Sequence, residues 1–124
     1  MNNRFYDNEL LLRAVYPPNK KSLFWINGRM SSAALKDKRG LSVSRTYDRS
    51  KDEAVCWMRS HYEGVITSIS VTSCNEAHAF LLYCPLKDNK YHSEIHGSPT
   101  QIVLSDVQAK YLAKRAVLEF WPNT

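Results

Sequence analysis

Three residues near the end of the chain have the spacing that chemistry needs: His92, Glu94 and His96, in Tyr91-His-Ser-Glu-Ile-His-Gly97. On a β-strand alternate side chains share a face, so this spacing sets a carboxylate between two imidazoles. Imidazole titrates near neutrality and responds to a neighbouring carboxylate, so the trio suits proton transfer or substrate orientation. The pattern is not the helical H-E-x-x-H zinc motif and no fourth ligand follows from spacing, so no metal is expected. The competing reading is a polar, solvent-facing edge strand.

Two further features are unusual. Arg13 interrupts Leu10-Leu-Leu-Arg-Ala-Val-Tyr16, and a charge on an apolar strand needs a partner or an open cleft. Its planar fork suits a phosphate or carboxylate, although an edge-strand arginine reaching water would look the same. Gly28-Arg29-Met30-Ser31-Ser32 and Gly40-Leu-Ser-Val-Ser-Arg45 place small hydroxyl residues beside Gly and Arg, which suits close approach of a phosphate or ribose. Ser31 and Ser32 serve equally as helix caps. His61 and His78 carry no assigned role. Trp25, Trp57 and Trp121 read first as core, with Trp25, on a polar loop, the one candidate for a ligand-stacking platform.

The elements that must hold these residues follow from pattern. Leu10–Tyr16 reads as a strand closed by Pro17-Pro18, with Leu10, Leu12, Ala14 and Tyr16 on one face and Leu11, Arg13 and Val15 on the other. Residues 19–29 read as an irregular loop with a turn at Asn27-Gly28, and Ser31–Leu35 as a short capped helix. Leu41–Thr46 alternates Leu41, Val43 and Arg45 against Ser42, Ser44 and Thr46. Ser50 and Glu53 form a capping box ahead of a helix that carries Ala54, Val55, Met58 and Tyr62 at helical spacing and ends at Gly64. Val65–Ser73, His78–Cys84 and Tyr91–Ile95 read as strands, with Asp88-Asn89 supporting a turn between the last two. Ser105 with Gln108 repeats the capping box, before a helix whose stripe Ala109, Leu112, Ala113, Ala116 and Phe120 runs to Pro122. The sum is an α+β fold: a small mixed or mainly antiparallel sheet of five to six strands with two to three helices, as a single domain over 1–124.

Composition sets outer limits. The 124 residues, with three Trp, seven Tyr and four Phe, can bury a core without staples. No apolar run approaches the roughly 20 residues that cross a bilayer, and no secretion signal is visible, so a cytoplasmic protein without a membrane partner is expected. Three cysteines, Cys56, Cys74 and Cys84, lack metal spacing and read as free thiols. The net charge of +5 favours phosphates or acidic surfaces and keeps nucleic acid open as a partner. Its densest run, Lys36, Lys38, Arg39, Arg45, Arg49 and Lys51, reads first as a solvated face or loop.

In chain order these features resemble the ADP-ribosyltransferase superfamily, most of all its RES-type, NAD-consuming toxin branch. The resemblance implies an arginine on the first strand, matched by Arg13. It implies a Gly-Arg-x-(Asn/Ser)-Ser segment, matched at Gly28–Ser32. A strand of hydroxyl and aromatic residues leading into a helix follows, matched by Ser42–Tyr47 and the helix after Ser50. A late glutamate completes the set, best matched by Glu94. The likeness covers the first half of the chain plus this one residue. It implies NAD as the substrate, with Glu94 beside the ribose, Arg13 and Arg29 on the pyrophosphate, Ser44 on the nicotinamide ribose and Tyr47 stacked on the nicotinamide ring. Two rivals stay open. One is a small basic ribonuclease or RNA-binding toxin-like domain using His92, His96, Arg45 and Tyr91. The other is a non-catalytic module that docks a protein partner, encoded nearby, through Phe24-Trp25.

Overall fold

The computed structural model describes residues 1–122. The fold is α+β: strands β1 (Leu10–Val15), β2 (Trp25–Ile26), β3 (Arg29–Met30), β4 (Leu41–Arg45), β5 (Val65–Ser70), β6 (Phe80–Tyr83), β7 (His92–His96) and β8 (Val117–Phe120), with helices α1 (Lys51–His61), α2 (Val71–Glu76) and α3 (Asp106–Arg115). Six strands form one antiparallel sheet in the order β6-β7-β4-β1-β5-β8, while β2 and β3 make a separate hairpin.

Alternation divides the sheet as the sequence implies. Leu11 and Val15 of β1, Leu41 and Val43 of β4 and Ile95 of β7 join the main core with Ala109 and Leu112 of α3. The opposite face carries Leu12 and Ile66, which α1 covers with Ala54 and Met58. Burying each larger aliphatic side chain stabilises the fold by roughly 1.5–3 kcal/mol. Ser50 starts α1 by accepting from the Glu53 N–H at 3.1 Å. The Ser105–Gln108 box is reciprocal, with Gln108 Oε1 accepting from the Ser105 N–H at 2.9 Å.

Four expected elements are corrected. The strand at Val65–Ser73 ends at Ser70, because the Ser70 hydroxyl accepts from the Ser73 N–H and caps α2. The cap, together with burial of Val71 and Cys74, outweighs the β preference of the segment. The helix after Ser105 stops at Arg115, and Val117–Phe120 forms a strand on the free edge of β5. Phe120 therefore packs against the Leu12–Met58 cluster and not on the α3 stripe. No Gly or Pro marks this break; the open ladder of β5 decides it. Residues 19–29 are not an irregular loop throughout: Trp25–Ile26 pairs with Arg29–Met30 across Asn27-Gly28, whose φ angles of 52° and 76° suit a tight hairpin turn. Finally, the strand expected from His78 starts at Phe80, because His78 takes a φ of 57° in the turn that closes α2.

The hairpin also corrects the reading of Phe24-Trp25 as an exposed aromatic anchor and leaves Trp25 in the core. Trp25 is buried at 7% exposure, its Nε1 donates to the Tyr16 carbonyl at 2.7 Å, and its ring meets Trp121 edge-on at 5.0 Å. Phe24 is packed against the core as well, so this loop does not present the exposed aromatic pair expected of a docking anchor.

A larger correction concerns the basic run. Arg45 is not on a solvated face; its side chain is fully buried. Its Nε and Nη2 donate to the two carboxylate oxygens of Glu9, each at 2.8 Å, and Nη1 and Nη2 donate to the carbonyls of Asn2 and Arg4 at 2.7 Å. Phe5, Tyr47 and Tyr83 surround the guanidinium at 4.1, 5.0 and 5.4 Å from their ring centres. Leaving one half of a buried pair without the other is costly, about 3–5 kcal/mol. Arg45→Met and Glu9→Gln should each lower stability by that amount in urea titration, whereas the double variant Glu9→Leu/Arg45→Met should lose less than either single change. Equal losses for all three would mean that the pair is not the source of the effect.

Candidate functional site

The cleft begins where the central sheet comes apart. β1 and β4 pair only at Leu11↔Arg45 and Leu12↔Ser44. Continued pairing would oppose Arg13 to Val43, but there the strands separate. Arg13 Nη1 instead donates to the Ser42 carbonyl of β4 at 3.0 Å. The guanidinium thus takes over a backbone acceptor that the neighbouring strand leaves unpaired.

Above this gap lies a cleft of about 260 Å³. Arg13, Ser42, Ser44, Asn89 and His92 supply its polar side, and Met58, Tyr62 and Leu86 its apolar side. Its size falls at or below the lower end for small-molecule sites and is too small for a whole dinucleotide.

Arg13 is poorly satisfied for a buried charge. The nearest carboxylate is Asp37 at 3.9 Å, itself 39% exposed. Nε is buried without a hydrogen-bond partner. Desolvation lowers its pKa and Asp37 raises it in part, and an arginine stays charged regardless. The result is a positive charge, held at the floor of a cleft, whose solvation would improve on meeting an anion.

The two same-face serines of β4 present opposite hydrogen-bond polarities. Ser44 Oγ accepts from Arg49 Nη2 at 3.0 Å and from Asn89 Nδ2 at 3.4 Å. Both lone pairs are then engaged, and the hydroxyl proton is what remains for a ligand. At Ser42 the order reverses. The Cys84 carbonyl lies 2.9 Å from His92 Nδ1, so that nitrogen carries the proton. Nε2 of the same ring, 3.2 Å from Ser42 Oγ, accepts from the hydroxyl and leaves the Ser42 lone pairs free. A donor and an acceptor two residues apart match a ribose diol or a carboxamide.

Glu94 and His96 stand beside the cleft and do not line it. Glu94 is opposite Ser42 in the β4–β7 ladder, and its Oε1 lies 2.7 Å from His96 Nε2. Gly40 makes room for the pair: at a φ of 102° it suits glycine, and a Cβ there would overlap the Glu94 carboxylate and press on His96 Nε2. The structure therefore brings Arg13, Ser44 and His92 into one cleft and adds Glu94 and His96 along the same face of the adjoining strand.

Arg29 and Tyr47 lie elsewhere. Arg29 is on the hairpin, in a separate groove with Lys110 and Lys114 of α3. Tyr47, at a φ of 26°, turns its ring toward Tyr6 and Arg45 as part of the aromatic wall around the buried pair. The aromatic side chain facing the cleft is Tyr62. Two of the groups invoked for RNA chemistry are likewise engaged: Arg45 with Glu9, and Tyr91, whose hydroxyl donates to Asp48 at 2.7 Å under the Arg49 guanidinium.

Sequence reasoning missed Arg49 and Asn89. Arg49 sits in the charge run, and only its position just after the hydroxyl-rich strand sets it apart. Asn89 reads as a turn residue, and nothing local signals a contact with Ser44, which lies 45 positions earlier.

Cys84, His92 and Glu94 each offer a ligand atom, all within 4.8 Å of one another. The donors are not preset for a metal. The Cys84 thiol is pushed up to about 11, chiefly by burial and then by the Glu94 charge, so it is protonated at neutral pH. Both nitrogens of His92 are engaged. Among the described residues no helix is long and apolar enough to cross a membrane.

No protein-family model, curated protein or solved structure matches the chain.

The thiols provide a check on this electrostatic arrangement. Burial pushes Cys74 up to about 12, and Cys56 is exposed. Thiol titration with a disulfide reagent at pH 8 should show Cys56 reacting fast and the other two slowly. A raised thiol pKa means less thiolate at a given pH, so Glu94→Gln, which removes one of the raising causes, should speed labelling of Cys84 and leave Cys74 unchanged. An unchanged Cys84 rate would show that the carboxylate does not face the thiol.

Proposed function

We propose that this chain binds NAD and breaks the bond between nicotinamide and ribose, either hydrolysing NAD or transferring ADP-ribose. This reading accords with its resemblance to the ADP-ribosyltransferase superfamily. The observation that carries it is Arg13: a buried, under-satisfied guanidinium on the floor of a cleft, with Ser44 on the next strand and Glu94 on the one after. The strands β1, β4 and β7 that carry the three residues are neighbours in the sheet, and the residues fall in the order the resemblance implies.

The chemistry follows from charge. As the C1′–N bond breaks, the pair leaves on the nicotinamide nitrogen and positive charge develops on the ribose. A carboxylate fixed beside that carbon stabilises the transition state more than the ground state. Glu94 supplies it. Arg13 holds a phosphate of the substrate, with Arg49 behind Ser44 adding positive potential. The Ser44 hydroxyl donates to a ribose oxygen or to the nicotinamide carboxamide, and Ser42 accepts from the complementary group. Tyr62 replaces Tyr47 as the aromatic surface for the nicotinamide ring, and Arg29 takes no part in gripping the pyrophosphate. Because the cleft holds only part of a dinucleotide, the remainder of NAD lies across the strip of β7 next to it.

Nicotinamide release from NAD, followed by chromatography, tests this. Glu94→Gln and Arg13→Lys should each reduce turnover by a factor of about 10²–10³ with melting temperature preserved. Normal turnover in Glu94→Gln would end the proposal. Raising salt from about 50 to 200 mM should change the KM for NAD little, whereas binding through many phosphates of an RNA would weaken by orders of magnitude over that range.

A further inference from the structure

We propose that His96 is the general base that takes the proton from the acceptor, a water or a hydroxyl, in the reaction assigned above. The inference rests on the NAD-cleaving reading and adds to it the group that completes the second half of the chemistry.

Two histidines flank Glu94, and their hydrogen bonds separate them. His92 has both ring nitrogens engaged, Nδ1 with the Cys84 carbonyl and Nε2 with Ser42 Oγ. His96 uses one nitrogen: Nε2 meets Glu94 Oε1 at 2.7 Å, and among the described residues Nδ1 has no hydrogen-bond partner. An ionised carboxylate only accepts, so Nε2 carries the proton in the neutral ring, and the lone pair sits on Nδ1. Glu94 thus sets the tautomer and orients the ring, the relation a carboxylate bears to histidine in hydrolytic triads. Phe80 on β6 backs the ring at 6.4 Å, and the missing side chain at Gly40 leaves space for the pair. The side chains of His96 and Glu94 are 14% and 24% exposed, enclosed enough to be held and open enough to meet an acceptor.

The location fits the sequence of events. Arg13, Ser42 and Ser44 define where the nucleotide sits, and His96 lies beyond Glu94, outside the cleft lining. The C1′–N bond breaks with its pair on nicotinamide, whose ring loses its positive charge. The acceptor oxygen forms the new bond to C1′ with its own lone pair, and its proton passes to His96 Nδ1. Glu94 serves both halves: its charge stabilises the ribose as the bond breaks, and its Oε1 holds His96.

The test compares two variants of the full chain in the nicotinamide-release assay. His96→Gln can still donate to Glu94 through its amide but has no basic lone pair, and it should lower kcat by about 10²–10³ with the KM for NAD unchanged. His96→Gly should show the same loss, with activity recovering at least tenfold on adding imidazole. Full activity in His96→Gln would mean that the ring merely positions Glu94, and would overturn the base. Lost activity in His96→Gly that imidazole does not restore would do the same. Absence of NAD turnover by the unaltered chain would overturn the underlying reading, and the base with it.

Discussion

The buried ion pair between Arg45 and Glu9 is the interaction on which the site depends. Arg45 ends β4 and faces Leu11 of β1, while Glu9 immediately precedes β1. The pair therefore clamps the end of the β1–β4 ladder at which the strands are joined. Two further N–H groups of the same guanidinium gather the carbonyls of Asn2 and Arg4 and draw the N-terminal segment against the sheet. A buried pair of this kind is a weak source of net stability, because desolvation consumes most of the Coulomb gain. Its effect is specificity: with one member missing the other is stranded, so the register at this end is strongly determined.

Away from the clamp the same two strands open, and a second arginine occupies the gap on opposite terms. Arg45 has a bidentate carboxylate and two carbonyls. Arg13 has one carbonyl at 3.0 Å, a carboxylate at 3.9 Å and a buried Nε without a partner. Two guanidiniums on adjacent strands, one saturated and one not, divide structure from function. The saturated one holds the sheet, and the unsaturated one is the group on which the proposed function rests. Ser44 connects them, since it neighbours Arg45 in the chain and lines the same cleft as Arg13.

Much of the fold is legible in the chain because hydrophobic alternation is a local property. Leu11, Val15, Leu41 and Val43 fall on the core face as their spacing requires, and Ser50 and Ser105 both cap helices, although only Ser105 does so in a reciprocal box, the Glu53 carboxylate meeting the Ser50 hydroxyl instead. The errors share one cause. At Ser70 a serine in a β-branched run is both a strand residue and a cap, and the burial of Val71 and Cys74 selects the cap. After Arg115 a continuing apolar stripe is broken by a distant strand edge that accepts Val117–Phe120. Each decision rests on a partner far along the chain, which no window of sequence contains.

The site divides the same way. The sequence by itself determined that His92, Glu94 and His96 share a face, that Arg13 is out of place on an apolar strand, and that Ser42 and Ser44 point together, because all of these follow from a period of two along one strand. Only the tertiary structure decided which arginine is free. Arg45 and Arg13 are both strand residues, and nothing local says which of them meets a carboxylate. The difference is made by Glu9, 36 positions before Arg45, and by a ladder that stops after two residue pairs. The satisfaction of a buried charge is a property of what surrounds it in space, so it becomes defined only when the strands have paired.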